Sequence, residues 1–278
     1  MQGYYETEGT KVDLGQHVFA TPGVQREMAD ARQPGHPTRW HPQGGGVMQL
    51  EVTAQRQRAN LGDAEWWAYS RLRELALADK GLLAVSDALG NEHAFEAAVM
   101  VSAEARVDAY ELATLTLDMQ CGESSSDASY GSAPSEPAER TGATTSQDYT
   151  AGGVDLGVGG KMELEAYRNT RIRPIPRARG ARVSLPESGG EMRLIITADL
   201  VAEGANLADE VESLARSISG QTITVSANGN EYTDCLLADV RSKHTDWRNT
   251  TLDWTFVQDL TRGNVVSTAT TTTTTTAA

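Results

Sequence analysis

Four places in the sequence carry residue types that could do chemistry. The stretch GVGGKM at 157–162 has the glycines and lysine of a phosphate-cradling loop. Such a loop needs a glycine where Asp155 stands and a hydroxyl side chain where Met162 stands, so the stretch is read as the end of a linker. His36 and His41 flank Trp40 in GHPTRWH with a spacing two metal ligands could use. No third ligand is near, and the matching stretch later in the chain has neither histidine, so a structural loop is expected. Cys121 and Cys235 stand far apart, without a histidine to activate either as a nucleophile, and no Gly-x-Ser-x-Gly elbow occurs. The sequence thus supplies no catalytic residue, metal site or cofactor site, and the protein is not expected to be an enzyme.

The fourth place is YRNTRIRPIPRARGAR at 167–182. It holds Arg168, Arg171, Arg173, Arg177, Arg179 and Arg182, a quarter of the chain's 24 basic residues. Pro174 and Pro176 suit an extended edge or a loop. In a chain of net charge −14, such a cluster suits an acidic partner surface, another copy of the chain included. The alternative is a solvated strand face. Trp66 and Trp67 open a helix and face Glu212 and Ser213 at the matching positions later in the chain. Core packing and contact with a neighbouring subunit are both open to them.

The elements that must position these residues appear twice. GGGVMQLEVTA (44–54) answers to GGEMRLIITA (189–198) with an offset of 144, and GTKVDL (9–14) to GGKMEL (159–164) with an offset of 150. NLGD (60–63) answers to NLAD (206–209), offset 146, and VSDALGNE (85–92) to VSANGNE (225–231), with Gly-Asn-Glu 139 apart. DAYELATLTLDMQ (108–120) answers to DWRNTTLDWTFVQ (246–258), offset 138. Matches in order over about a hundred residues indicate duplication of a whole domain. Within each copy the pattern reads as strands, then a helix, then strands around a Gly-Asn turn. Asn60 and Asn206 sit where helix N-caps belong, ahead of helices over 61–79 and 207–219, with Gly81 and Gly220 as their terminating glycines.

A chain of 278 residues has room for two such domains. The expected division is copy 1 over 1–121, a flexible Ser/Gly/Pro-rich acidic linker or arm over 122–158, copy 2 over 159–260 and a Thr-rich tail over 261–278. The expected fold is α+β or mostly β, two tandem homologous antiparallel β-sandwich domains, each with one flanking helix. No apolar run is long enough for a membrane helix, and MQGYYETEGT lacks the basic and apolar regions of a secretory signal. The two cysteines fall at non-equivalent places in the copies, which suits synthesis in a reducing cytoplasm. The acidic balance argues against a grip on nucleic acid, but suits a wall that DNA slides past.

Strand, helix, Gly-Asn turn and the aromatic final strand TLDWTFVQ, in that order, resemble the domain shared by tailed-phage tail-tube, distal-tail and related minor tail proteins. The resemblance implies sheets that join side by side into a ring around a DNA channel, without catalytic residues or cofactors. A fused pair would close a ring of six places with three chains, or with six if one copy only decorates it. The implied partners are the chain itself, as a trimeric or hexameric ring, and neighbouring tail or baseplate proteins. DNA passes without specific binding and no membrane is involved. The implied location is the virion tail, after synthesis in the host cytoplasm. The alternative is a tandem β-sandwich module binding carbohydrate or protein, which an exposed aromatic repeated in both copies would favour. Trp247, set against Ala109, speaks against that alternative.

Overall fold

The computed structural model describes residues 2–25, 28–31, 39–42, 47–86, 92–108, 110–121, 134–174, 182–201, 207–245 and 249–260. The first part of the chain forms β1 (Gln2–Thr7), β2 (Thr10–Gln25), β3 (Met28–Ala31), β4 (Arg39–Pro42), β5 (Val47–Gln57), α1 (Leu61–Leu77), β6 (Gly81–Ser86), β7 (Glu92–Val107) and β8 (Leu112–Cys121). The second part forms β9 (Tyr149–Ala151), β10 (Val154–Asp155), β11 (Val158–Pro174), β12 (Arg182–Val201), α2 (Leu207–Ile218), β13 (Ile223–Ala227), β14 (Asn230–Thr245) and β15 (Asn249–Leu260). Among the described residues the fold is therefore mostly antiparallel β with two helices.

The strands do not divide into one separate sheet per half. All but β3 and β4, which pair with each other, belong to one 13-stranded sheet. In the first half β1, β2, β5, β8, β7 and β6 pair in that order, and β6 returns to β1, so the six close on themselves. The second half repeats the circuit. β9 pairs with β10, and that strand continues through Leu156 and Gly157 into β11. From there the order is β12, β15, β14, β13 and back to β9. Closure leaves few open edges within either circuit.

Period-two alternation explains why these segments are strands with one buried face. Along β8, Leu115, Leu117 and Met119 point inward, and along β15 Leu252, Trp254 and Phe256 do the same. Fully burying side chains of this size contributes roughly 1.5–3 kcal/mol each. Asn60 caps α1, its side chain accepting the Asp63 N–H at 2.9 Å. The expected glycine at the end of α1 is elsewhere: α1 stops at Leu77, and Gly81 begins β6. A Cβ on Gly81 would lie 2.2 Å from the Glu6 carbonyl, so the glycine admits β1 rather than ending a helix.

Two of the expected correspondences shift. Met48 faces Cys121 while Met192 faces Gln258, so the final strands correspond at an offset of 137, one less than expected. A one-residue slip would turn Leu115 and Leu252 to opposite faces. At the start of the repeat the match between 9–14 and 159–164 is eight residues out of register. The true counterpart of Val12-Asp13-Leu14-Gly15 is Val154-Asp155-Leu156-Gly157, an identical VDLG at an offset of 142. Both runs enter the same irregularity: pairing jumps from Gln16/Gln55 to Phe19/Thr53 in one half and from Val158/Asp199 to Lys161/Thr197 in the other.

The expected linker is also shorter. Residues 149–156 belong to the second circuit, where Tyr149, Ala151 and Leu156 are fully buried. Strands of three and two residues are too short to show an alternating pattern. Residues 122–133, the tail over 261–278, and the Gly90-Asn91 turn and Asn206 lie outside the described residues.

Candidate functional site

The feature that needs explaining is the joint between the halves. β7 leaves β6 after Ala98, and the edge it thereby frees is taken by β11 of the other half. Glu163 lies opposite Arg106, Leu164 opposite Ala105, Glu165 opposite Glu104, Ala166 opposite Ala103 and Tyr167 opposite Ser102. Two alanines of β7 sit under the joint, Ala103 at 6% and Ala105 at 1% exposure. The facing pair Glu165 and Glu104 would repel. Arg106 binds Glu104, and the Tyr167 hydroxyl donates to Glu165 at 2.9 Å, which offsets that repulsion.

α1 lies across the joint as a strap, packing on β2, β7 and β8 of its own half and on β11, β12 and β15 of the other. Its reach follows from its sequence, since large side chains recur on more than one face. Trp67 and Leu72 are buried in the core, and Tyr69 donates to Gln258 Oε1 at 2.8 Å. The Tyr232 ring meets Tyr69 edge-on at 4.7 Å. Trp66 lies 6.1 Å from Tyr232, with the Arg140 guanidinium 3.7 Å above its own ring.

The N-terminus of α1 is held by polar contacts to the second half. Glu65 is 1% exposed and accepts from the Tyr149 hydroxyl and from Asn228 Nδ2, each at 2.9 Å. Burial pushes its carboxyl up to about 7, against the opposing pull of those two hydrogen bonds. Asn230 Nδ2 donates to the Gly62 carbonyl at 2.8 Å. Segment 134–148 runs between the halves and is pinned there. Arg58 forms a buried pair with Asp63 at 2.9 Å, and donates to the carbonyls of Pro137 at 3.1 Å and Ala138 at 3.0 Å. An open cleft beside Glu65, about 430 Å³ in volume, has walls from both halves, including Arg106 and Asp108 from one and Lys161 and Glu163 from the other.

The residues singled out in the sequence are not brought together. Trp67 is 2% exposed, and the Arg168 side chain is buried, with Asp79 at 3.7 Å; both serve inside the chain rather than on its surface. Trp66 is half-buried beneath Arg140. Arg171, Arg173 and Arg182 lie on a two-stranded ribbon where β11 and β12 run on together, Arg173 opposite Val183 and Pro174 opposite Arg182. Arg177 and Arg179 lie outside the described residues, as does His36, while His41 lies on β4. Cys121 and Cys235 are free and buried, and burial pushes both thiols up to about 12. Among the described residues no group of three or more His, Cys, Asp or Glu could hold a metal ion, and no helix is long and apolar enough to cross a membrane.

Sequence reasoning missed the joint itself. Pairing between β7 and β11 leaves no local signature, because any exposed strand edge offers the same backbone groups. The VDLG repeat was the one available signal for the correct register. No protein-family model and no curated protein matches the chain.

Proposed function

We propose that the chain is a structural subunit of a phage tail or tail-like injection machine, forming a ring around a DNA channel as tail tube or distal adaptor. In this reading the halves are two tandem copies of one tube-like domain and occupy neighbouring places in the ring. The observation that carries it is the β7–β11 joint: two repeats of one circuit, set edge to edge by backbone pairing, is how adjacent ring positions would meet. The net charge of −14 fits a wall that DNA must pass without sticking. Electron microscopy of the purified protein tests the reading. Rings or tubes with a central hole are expected, and isolated two-lobed particles at high concentration would count against it.

A second reading, a tandem module binding carbohydrate or protein, is favoured by one observation. At the corrected offset of 137, Trp247 answers to Tyr110 instead of Ala109, and Tyr110 is 78% exposed. An aromatic therefore recurs in the sequence shortly before the last strand of each half. If this reading holds, Tyr110→Ala and Trp247→Ala abolish retention on an immobilised glycan or protein ligand and leave self-assembly intact.

A further inference from the structure

Each half carries one edge of the joint again, without a second strand on it among the described residues. Beyond Cys235, β14 has β15 on one side and, among the described residues, no second strand on the other. Beyond Gln16, β2 has β5 on one side and likewise no strand on the other. These are the counterparts of the two edges that β7 and β11 satisfy within the chain.

Side-chain burial follows the same division. Val99 on β7 is fully buried, while its counterpart Leu236 on β14 is 47% exposed. Ala103 is buried, while its counterpart Val240 is only half-buried. The helices differ most. Eleven residues of α1 are buried. On α2, Ile218 is the one buried residue among those whose side chains are described, and Val211, Leu214 and Ala215 are half-covered. α1 has two halves to pack on, whereas the main strand contact of α2 is β14 of its own half.

We propose that the joint within the chain is repeated between chains: β14 and α2 of one copy take β2, β5 and β8 of the next. The partner is a second copy of this chain, because the surface that fits a β7-like edge and its strap within the chain is a β11-like edge, and among the described residues β2 is the other strand that offers one. Carrying the β7–β11 register across at the observed offsets sets Val240 opposite Val24, Arg241 opposite Gly23 and Asp239 opposite Gln25. The contact joins unlike faces of the two chains, so it propagates head to tail and closes into a ring or continues as a filament. It names the interface of the ring reading and rests on that reading only for closure.

The test uses the full chain. Leu236→Asp changes an exposed side chain, so folding should be unaffected, as an unchanged melting temperature will show. The association constant measured by sedimentation should fall about tenfold or more, because the charge must be desolvated at the joint. Val24→Cys combined with Val240→Cys should give a ladder of covalent multimers on oxidation, which neither single variant gives. Wild-type assembly with no ladder, and with Leu236→Asp associating normally, overturns the proposed interface and leaves the ring reading standing. A wild-type chain that stays monomeric at every concentration overturns both.

Discussion

Gly15 and Gly157 hold the same bend in the two halves, each donating its N–H to the carboxylate two residues back, Asp13 at 3.2 Å and Asp155 at 2.9 Å. Their φ angles are +106° and +123°, in the region that favours glycine. A Cβ would lie 2.7 Å from the Gln55 carbonyl oxygen in one case and 2.6 Å from that of Asp199 in the other. The bend lets one long strand serve two neighbours in turn. Before it, the strand pairs inside its own circuit; past it, the outer edge is free for a joint.

Gly15→Ala and Gly157→Ala should each destabilise the chain by about 2 kcal/mol or more, through backbone strain and a carbonyl that cannot move aside. Urea denaturation measures this. Because the halves share one sheet, either substitution should lower the midpoint of the whole transition. An unchanged midpoint for either variant would contradict the shared role.

Glu65 should give stability an unusual pH dependence. Its carboxyl is raised from an ordinary 4.5 to about 7 in the folded chain, so between those values the folded state keeps a proton that the unfolded state releases. The contribution is fully present below about pH 4.5 and is lost as pH rises towards 7, amounting to roughly 3 kcal/mol. Glu65→Gln keeps one oxygen to accept from Asn228, gives up the acceptor of the Tyr149 hydroxyl at every pH, and does not titrate. The stability difference between wild type and variant should therefore change across this window. A difference constant with pH would show that Glu65 does not titrate there.

Arg58→Leu should be severe. It leaves the Asp63 carboxylate buried with the Arg140 N–H but without its charged partner, which costs about 3–5 kcal/mol, while Arg58→Leu with Asp63→Leu should recover a large part of the loss. The single variant should also speed proteolytic cleavage within 134–148, since Arg58 holds the carbonyls of Pro137 and Ala138. Cleavage at the wild-type rate would mean that other contacts hold the segment.

The arginine stretch at 167–182 gives a prediction about assembly. Exposed ion pairs contribute only ~0.2–1 kcal/mol each, so single substitutions should pass almost unnoticed. Replacing Arg173, Arg177 and Arg179 together by Ser should weaken assembly, most at low salt, without moving the melting temperature. Normal assembly of the triple variant at low salt would make the arginine stretch a solvated face.

Much of the fold was legible where the signal is local. The strand around Val47–Gln57, the Asn60 cap and the alternation of the last strand each follow from a few adjacent residues. The repeat is visible in the sequence, but the register of its first strand is not: Gly-Gly-Lys at 159–161 imitates the start of the chain, and the VDLG run at 154–157 falls inside the expected linker. Pairing of β7 with β11 was invisible, because it depends on backbone edges and on α1 spanning both halves. Burial of Arg168 was hidden for the same reason, as its partner Asp79 is brought to it only by the joint.

Native mass spectrometry of the purified chain tests the central claim most directly. If the joint within the chain is repeated between chains and closes a ring of six places, the dominant assembly holds three chains of 29.8 kDa, about 89 kDa in all. Leu236→Asp should shift that population towards the single chain. A wild-type protein found only as the 29.8 kDa chain, at concentrations where it remains folded, would contradict the account.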